Sequence, residues 1–318
     1  MKNGIISLGE ALIDFIPVDQ QNTTYLKSPG GAPANVAVGL ARLGVKSTFL
    51  GKVGKDVLGE FLANTLEDYG VRTNQMYFTP DVRTGVVFVT NAEDGERSFD
   101  FYINPSADRY LEIADIDEAD FVSHKILHFG SISMISSPAK ETTLHAVELA
   151  KQNGMVVSYD PNLRLGLWDS AETARTTIIS MLKHADILKI SEEELEFITG
   201  ENDIPAGIEK MKQYNIPFML ITLGSAGSYV CVPNAYQQVP TMKVNAVDTT
   251  GAGDAFVSGL LFCMNTYNKD LHSLTIEEAV EMARFASVSG ALAASKKGAM
   301  TALPTLEEVN QYIEKVGK

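Results

Sequence analysis

The stretch Val247-Asp248-Thr249-Thr250-Gly251-Ala252-Gly253-Asp254-Ala255-Phe256 brings together the residue types that phosphoryl transfer needs. Residues 244–247 read as an apolar strand, two glycines follow, and the spacing of Phe256, Leu260, Leu261 and Met264 predicts a helix. Glycines at a strand-to-helix turn let backbone N–H groups point outward, and the helix N-terminus adds positive potential, so the turn is an anion site. Asp254, fixed in the first helical turn beside the dipole, is expected to stay ionised and able to accept a proton. An anion cradle with a base in reach is what moving a phosphoryl group onto a hydroxyl requires. Taken alone, the same letters also fit a helix-start acid after a tight turn. A second glycine stretch far upstream, Pro29-Gly30-Gly31-Ala32-Pro33, favours the chemical reading.

Other candidates sit where strands are expected to end, which is where ligands gather in an open parallel sheet. Lys189 ends one such strand, and Glu194 follows one turn into the next helix. The pair suits a phosphate and a water-bound Mg²⁺, although on spacing alone a snorkelling lysine and a solvated glutamate fit as well. Asp160-Pro161-Asn162-Leu163-Arg164 is a polar cluster of the same ambiguous kind. Thr222-Leu223-Gly224-Ser225-Ala226-Gly227 is a tight loop suited to close approach by a nucleotide. No GxxxxGK[ST], GxGxxG or GxSxG occurs, which weakens the Walker-loop, dinucleotide-oxidoreductase and serine-hydrolase readings. His124 and His128 flank an expected strand at 126–129, off any shared helical face, so metal ligation there is disfavoured.

The elements that must hold these groups follow a repeated cadence of helix, glycine and apolar strand. It runs through Val36, Leu40, Leu43, Gly44 and Val45, then Val57, Phe61, Leu62, Leu66, Gly70 and Val71, then Leu144, Val147, Leu149, Gly154 and Met155. That is the signature of βα units and a mostly parallel sheet. A strand at 4–9 opens the chain, and a helix from Asn35 follows the diglycine turn. Later strands are expected at 186–190, 218–223 and 228–232, with the last helices starting near Ile276 and Thr305. One region breaks the rhythm: 84–90 and 96–103 read as two strands joined by a hairpin turn at 91–95. With residues 11–27 they are expected to form a small separate sheet serving as a lid or dimer patch, the alternative being an antiparallel edge of the main sheet.

The 318 residues are 45% hydrophobic and carry a net charge of −14, which argues against general nucleic-acid or anionic-membrane binding. Cys231 and Cys263 lie far apart, disfavouring a disulfide frame or thiolate zinc site. With no signal-peptide pattern or long apolar span, the cytoplasm is the expected location.

Together the motifs resemble the ribokinase-like (PfkB) carbohydrate kinases. Gly30-Gly31-Ala32-Pro33-Ala34-Asn35-Val36-Ala37 with Leu43-Gly44 is similar to the family's N-terminal signature, and residues 248–256 to its C-terminal one. Gly9-Glu10-Ala11-Leu12-Ile13-Asp14-Phe15, Asn104-Pro105-Ser106-Ala107-Asp108 and Lys189-Ile190-Ser191-Glu192-Glu193-Glu194 resemble the fructokinase branch. The resemblance implies a Rossmann-like αβα sandwich in one kinase domain, with a small β lid formed by about 11–28 and 84–104. It implies ATP-dependent transfer to a sugar hydroxymethyl group, fructose first, with 2-keto-3-deoxygluconate, ribose or aminoimidazole riboside as alternatives and a non-catalytic sugar sensor as an outside reading. It makes Asp254 the base and the Gly251, Ala252 and Gly253 amides the anion hole. It puts Asp14, Gly30, Gly31, Asn35, Arg97, Phe99 and Arg164 around the sugar. Asn162, Lys189, Thr222, Gly224, Ser225, Gly227 and Ser287 would border ATP, and Glu194 would hold Mg²⁺ through water. Asp248, Thr250, Ala293, Lys296 and Gly298 would surround K⁺. Two positions depart from the pattern: Ile103 stands where the fructokinase branch usually has Arg, and Ser191 where the wider family has Asn.

Overall fold

The computed structural model describes residues 2–91 and 97–316, and the side chains of all of these except Asn91, Arg97 and Val316. The chain opens with β1 (Ile5–Leu8), β2 (Leu12–Pro17) and β3 (Tyr25–Gly30), followed by α1 (Ala32–Arg42). Next come β4 (Ser47–Gly54), α2 (Val57–Asp68), β5 (Arg72–Thr79), β6 (Gly85–Asn91) and β7 (Arg97–Phe101). The middle of the chain alternates α3 (Glu118–Ser123), β8 (Ile126–Phe129), α4 (Ala139–Gln152), β9 (Val156–Tyr159), α5 (Ala171–Leu182) and β10 (Ile187–Ser191). Then follow α6 (Glu192–Thr199), α7 (Ile204–Met211), β11 (Phe218–Thr222), β12 (Ser228–Val232) and β13 (Ala235–Val239). Three helices close it: α8 (Ala252–Thr266), α9 (Ile276–Ala294) and α10 (Leu306–Val316).

Nine strands form one sheet in the order β13-β12-β11-β10-β9-β8-β1-β4-β5. It is parallel from β5 to β11 and antiparallel across β11, β12 and β13. Successive strand side chains point to opposite faces, so a parallel sheet covered on both sides needs unbroken apolar runs. Ile5 of β1 accordingly belongs to the same core cluster as Leu40, Leu260 and Ala283 of α1, α8 and α9. Its neighbour Ile6 belongs to the cluster on the other side, with Val147, Ile178 and Leu195 of α4, α5 and α6. The expected αβα sandwich is the architecture found.

A second sheet of four strands, β3-β2-β6-β7, stands apart. Ile13 and Phe15 of β2 anchor it against Leu62, Leu66 and Phe61 of α2. The hairpin turn expected at 91–95 lies, apart from Asn91, outside the described residues, as does the side chain of Arg97.

Residues 244–247 are not the strand that their apolar letters suggested. They run as irregular chain with Asn245, Ala246 and Val247 exposed, and the Val247 amide donates to the Ala294 carbonyl (2.8 Å) instead of joining the sheet. No neighbouring strand buries them, so nothing holds an extended ladder there. The edge position is taken by β13, whose polar Ala-Tyr-Gln-Gln-Val gave no strong strand signal. The first helix begins earlier than expected, at Ala32, because Pro33 fits a first helical turn where no N–H is needed.

Candidate active site

Helices α1 and α8 bring the two glycine stretches together. They pack closely because Gly39 of α1 leaves room for Ser258 of α8: a Cβ at Gly39 would stand 2.3 Å from the Ser258 hydroxyl. At the same ends of these helices Asn35 Nδ2 donates to Asp254 Oδ2 at 2.8 Å, both residues being buried. The diglycine is dictated by crowding on each side. A Cβ on Gly30 would meet the Asp14 carboxylate at 2.3 Å, and one on Gly31 would meet the Glu10 carbonyl at 2.4 Å. Gly31 also has φ 101°, a backbone that L side chains rarely adopt.

The result is a cavity of about 410 Å³. Asn35, Gly31, Ala32 and Glu10 line one side; Thr249, Thr250, Gly251, Gly253 and Asp254 line the next. Asn162, Arg164 and Lys189 enter from the strand ends of the large sheet. Leu12, Asp14, Val87, Phe99 and Phe101 close it from the small sheet. Gly251 is the left-handed cap of α8 (φ 76°), so the first amides of that helix point toward the cavity with no carbonyl in the preceding turn to receive them. The Ala252 amide is an exception: it donates back to the Thr249 carbonyl at 3.1 Å, and Ala252 is not part of the lining.

Electrostatics here are set by burial. Burial pushes Asp254 up to about 6; the Asn35 hydrogen bond pulls it down, Asp160 pushes it further up, and Lys189 and Arg164 oppose. The helix dipole was expected to keep this acid strongly ionised. Desolvation outweighs it, leaving a carboxylate that is ionised at neutral pH yet has a raised affinity for a proton. Asp14 is raised to about 7 by burial, with Arg164 pulling down and Asp254 pushing up. Burial alone would lower the Lys189 pKa, but the nearby Asp160 and Glu194 carboxylates outweigh it and the net shift is upward. Its ammonium stands 3.2 Å from Asp160 Oδ2, a cation held ready beside the cradle.

Glu194 is neither solvated nor a free ligand. Its Oε2 accepts the Ser191 amide (2.8 Å) in a capping box, and its Oε1 accepts the Leu163 amide (2.7 Å), tying the 160s loop to α6. Ser191 therefore serves as a helix cap in place of the Asn of the wider family pattern. Asp248 bridges two segments: Oδ1 accepts the Thr250 amide (3.0 Å) and Oδ2 the Gly298 amide (3.2 Å). Lys296 pairs through its side chain with Glu308 at 2.6 Å.

Of the expected nucleotide residues, Asn162 and Lys189 line the cavity. Thr222, Gly224, Ser225 and Gly227 stand at the end of β11, and Ser287 lies on α9, which packs against β12; none of the five lines it. Gly227 has φ 98°, and a Cβ there would meet the Val239 carbonyl at 2.1 Å, so the loop closes on β13 only with glycine. His124 bonds Thr48 Oγ1 (3.0 Å) and His128 Nδ1 bonds Ser158 Oγ (3.1 Å), each satisfied within the core. Sequence reasoning passed over Glu10, Thr249, Leu12, Val87, Phe101 and Ile132 as site residues, and named Asp160 only within an ambiguous strand-end cluster. Glu10 had a usable signal, since it follows an apolar run at a strand end, as Asp160 does.

A buried carboxylate on a helix N-terminus, with an ammonium nearby and hydrogen-bonding groups around one cavity, is an arrangement suited to phosphoryl transfer onto an alcohol. Residues 2–306 match the model of the pfkB family carbohydrate kinases, and the chain belongs to that family. It is 44% identical over 321 residues to fructokinase-1 of Zea mays, covering 98% of each chain. A solved fructokinase double mutant from Vibrio cholerae O395, in its fructose, ADP and potassium ion bound form, is 40% identical with a TM-score of 0.89, covering 98% of this chain and 99% of that one. Fructokinase with bound ATP from Xylella fastidiosa superposes with a TM-score of 0.93 at 35% identity over 100% of both chains. The chain is therefore an enzyme, a carbohydrate kinase of ribokinase-like fold.

Proposed function

We propose that this kinase is an ATP-dependent fructokinase that phosphorylates the 6-hydroxymethyl group of D-fructose. The observation that carries the reading is the 2.8 Å contact between Asn35 and Asp254, which sets the diglycine turn and the anion cradle in one cavity. Asp254 takes the proton of the hydroxyl as its oxygen attacks the γ-phosphorus in line, and ADP leaves. The Gly251 and Gly253 amides, with Lys189, meet the charge that spreads over the transferring group. One such donor is worth roughly 3–4 kcal/mol in a site of this kind. Asn35 Oδ1 is buried with no hydrogen-bond partner, an acceptor suited to a sugar hydroxyl. Asp14 supplies a second acceptor, and Phe99 and Arg164 complete the sugar contacts, with Arg97 added on the family resemblance alone. The nucleotide runs from Lys189 and Asn162 toward Thr222, Gly224, Ser225, Gly227 and Ser287.

The small sheet acts as a lid that keeps water from the phosphoryl group. Leu26 and Tyr102, both exposed on it, suit pairing with a second copy of the chain; light scattering of the purified protein tests this. Glu194, whose two oxygens already accept backbone amides, would hold Mg²⁺ through water, and the ion would neutralise charge on the ATP phosphates. Carbonyls and side chains around Asp248, Thr250, Ala293, Lys296 and Gly298 would supply the hard oxygen donors for K⁺, which would add positive potential beside the cradle. Among the described residues no helix is long and apolar enough to cross a membrane; a cytoplasmic location belongs to the proposal.

Coupled ADP release with fructose, ribose, glucose and 2-keto-3-deoxygluconate, with and without K⁺, tests the reading. The expected result is fastest turnover on fructose. With Asp254 as base and its pKa raised to about 6 by burial, kcat is expected to rise as pH increases through about 6. Fructose binding without ADP release would replace catalysis by sensing, and a faster sugar would replace fructose.

A further inference from the structure

Glu10 lies just past the end of β1, buried at 4% exposure, and borders the substrate cavity. It grips the start of α1 twice. Its side-chain Oε1 accepts the Ala32 amide at 3.1 Å, and its backbone carbonyl is the atom that leaves Gly31 no room for a Cβ. From that turn the Gly31 carbonyl accepts the Asn35 amide at 2.8 Å, and the Asn35 side chain holds Asp254. We propose that Glu10 is a positioning residue for phosphoryl transfer: by fixing the first turn of α1 it sets the Asn35 amide that aims the Asp254 carboxylate. The inference rests on the phosphotransfer reading of the cavity.

The surroundings determine the form in which Glu10 acts. Asp108 and Arg109 face it from the 3₁₀ turn at Ala107–Tyr110, and Asp254 from α8. His128 of β8 and Asp160 after β9 share with it a second, adjoining cavity of about 10 Å³, close to the size that one water needs. Burial, reinforced by the Asp108 and Asp254 charges, pushes Glu10 up to about 8 against the opposing pull of the Ala32 hydrogen bond. At neutral pH it is thus a neutral acid. Its second oxygen carries a proton to donate, and no further negative charge stands beside Asp254 and an arriving phosphate. Loss of that proton above about pH 8 places a charge next to the base, so turnover falls on the alkaline side. A glutamine has the same shape, accepts from Ala32 in the same way and does not ionise.

The test compares Glu10→Gln, Glu10→Ala and wild type by kcat, KM and the pH profile of kcat, using whichever sugar the wild-type protein phosphorylates fastest. Glu10→Ala is expected to lower kcat by about 10–100-fold, the scale of a misaimed catalytic group, with a smaller change in sugar KM. Glu10→Gln is expected to restore most of that loss and to lack the alkaline fall of wild type. Wild-type kcat and pH profile in Glu10→Ala would overturn the role, as would an alkaline limb retained in Glu10→Gln. Should Glu10→Ala fail to fold, the Glu10→Gln profile alone decides. Wild-type turnover on a sugar other than fructose would count against the substrate assignment while leaving the Glu10 comparison intact.

Discussion

The floor and the roof of the cavity are built on opposite principles. On the floor, α1, α8 and the strand ends of the large sheet present Asp254, Asn35, Glu10 and Lys189, all at least half-buried and each tied to another polar group. The roof comes from the small sheet, and apart from Asp14 it presents Leu12, Val87, Phe99 and Phe101. Phe99 is 50% exposed, whereas the large floor side chains are held on several sides. Buried polar groups cost several kcal/mol unless satisfied, so a floor of this kind is worth building only where the reaction uses it. A half-exposed apolar roof costs little, and it contributes exclusion of water and a fit to the sugar. Chemistry should therefore respond to changes in the floor, and affinity to changes in the roof.

Asp254→Asn is the sharpest way to break that contrast. It is expected to cut kcat by about 10²–10⁴, the range for a positioned base, as read by coupled ADP release. Near-wild-type turnover would remove Asp254 from the role. The same substitution should stabilise the fold. A carboxyl whose folded pKa is raised, here to about 6, costs stability above that value, and the cost vanishes as pH falls through it toward the unfolded value. The variant is therefore expected to melt above wild type at pH 8, with the gap closing toward pH 4. Gly253→Ala comes next. A Cβ there meets only the Lys189 ammonium, at 3.8 Å, so the methyl group fits the fold but occupies the cradle. kcat/KM is expected to fall about 10²-fold, the scale of one lost donor. Melting should not drop, since alanine is favoured over glycine in a helix by up to about 1 kcal/mol. A variant that is less stable with its activity intact would show that the glycine serves only the fold.

Phe99→Ala tests the roof. A half-exposed ring contributes about 1 kcal/mol of apolar contact, so sugar KM is expected to rise about threefold to tenfold with kcat nearly unchanged. A kcat loss matching that of Gly253→Ala would erase the distinction between the two walls.

The floor was the more legible part of the sequence. Two glycine stretches and an acid in a helical first turn carry their chemistry in residue type, because few other letters can make those turns. Repeated βα spacing likewise exposed the sheet. Less visible was whatever depends on a distant partner. Residues 244–247 look like a strand until the Ala294 carbonyl is seen to take the Val247 amide. Glu194 reads as a solvated acid until the Leu163 amide, 31 residues upstream, is found on it. The proton affinity of Asp254 could not be read from its helix position, since burial by α1 and the roof outweighs the dipole. Val87 and Phe101 carried no site signal, because a cavity-facing apolar residue and a core residue have the same letters.

Ile103 should produce the smallest effect and the finest test of the roof. Arginine usually stands at this position in the fructokinase branch that the chain resembles. In the structure, alternation along β7 points Phe99 and Phe101 into the cavity, but the strand ends at Phe101. Beyond it the Tyr102 amide still bonds the Val86 carbonyl (2.9 Å), while the Tyr102 ring packs edge-on against Phe88, whose neighbour Val87 is the β6 residue that lines the cavity. Ile103 is half-buried as the chain turns toward Ser106 and Asp108, and it is not among the lining residues. Ile103→Arg is therefore expected to change sugar KM by less than about threefold, under 1 kcal/mol, and to leave kcat unaltered. A tenfold fall in KM would mean that a guanidinium at 103 reaches the sugar. The roof would then recognise its substrate by charge as well as by shape, and the division of labour between the two walls would need redrawing.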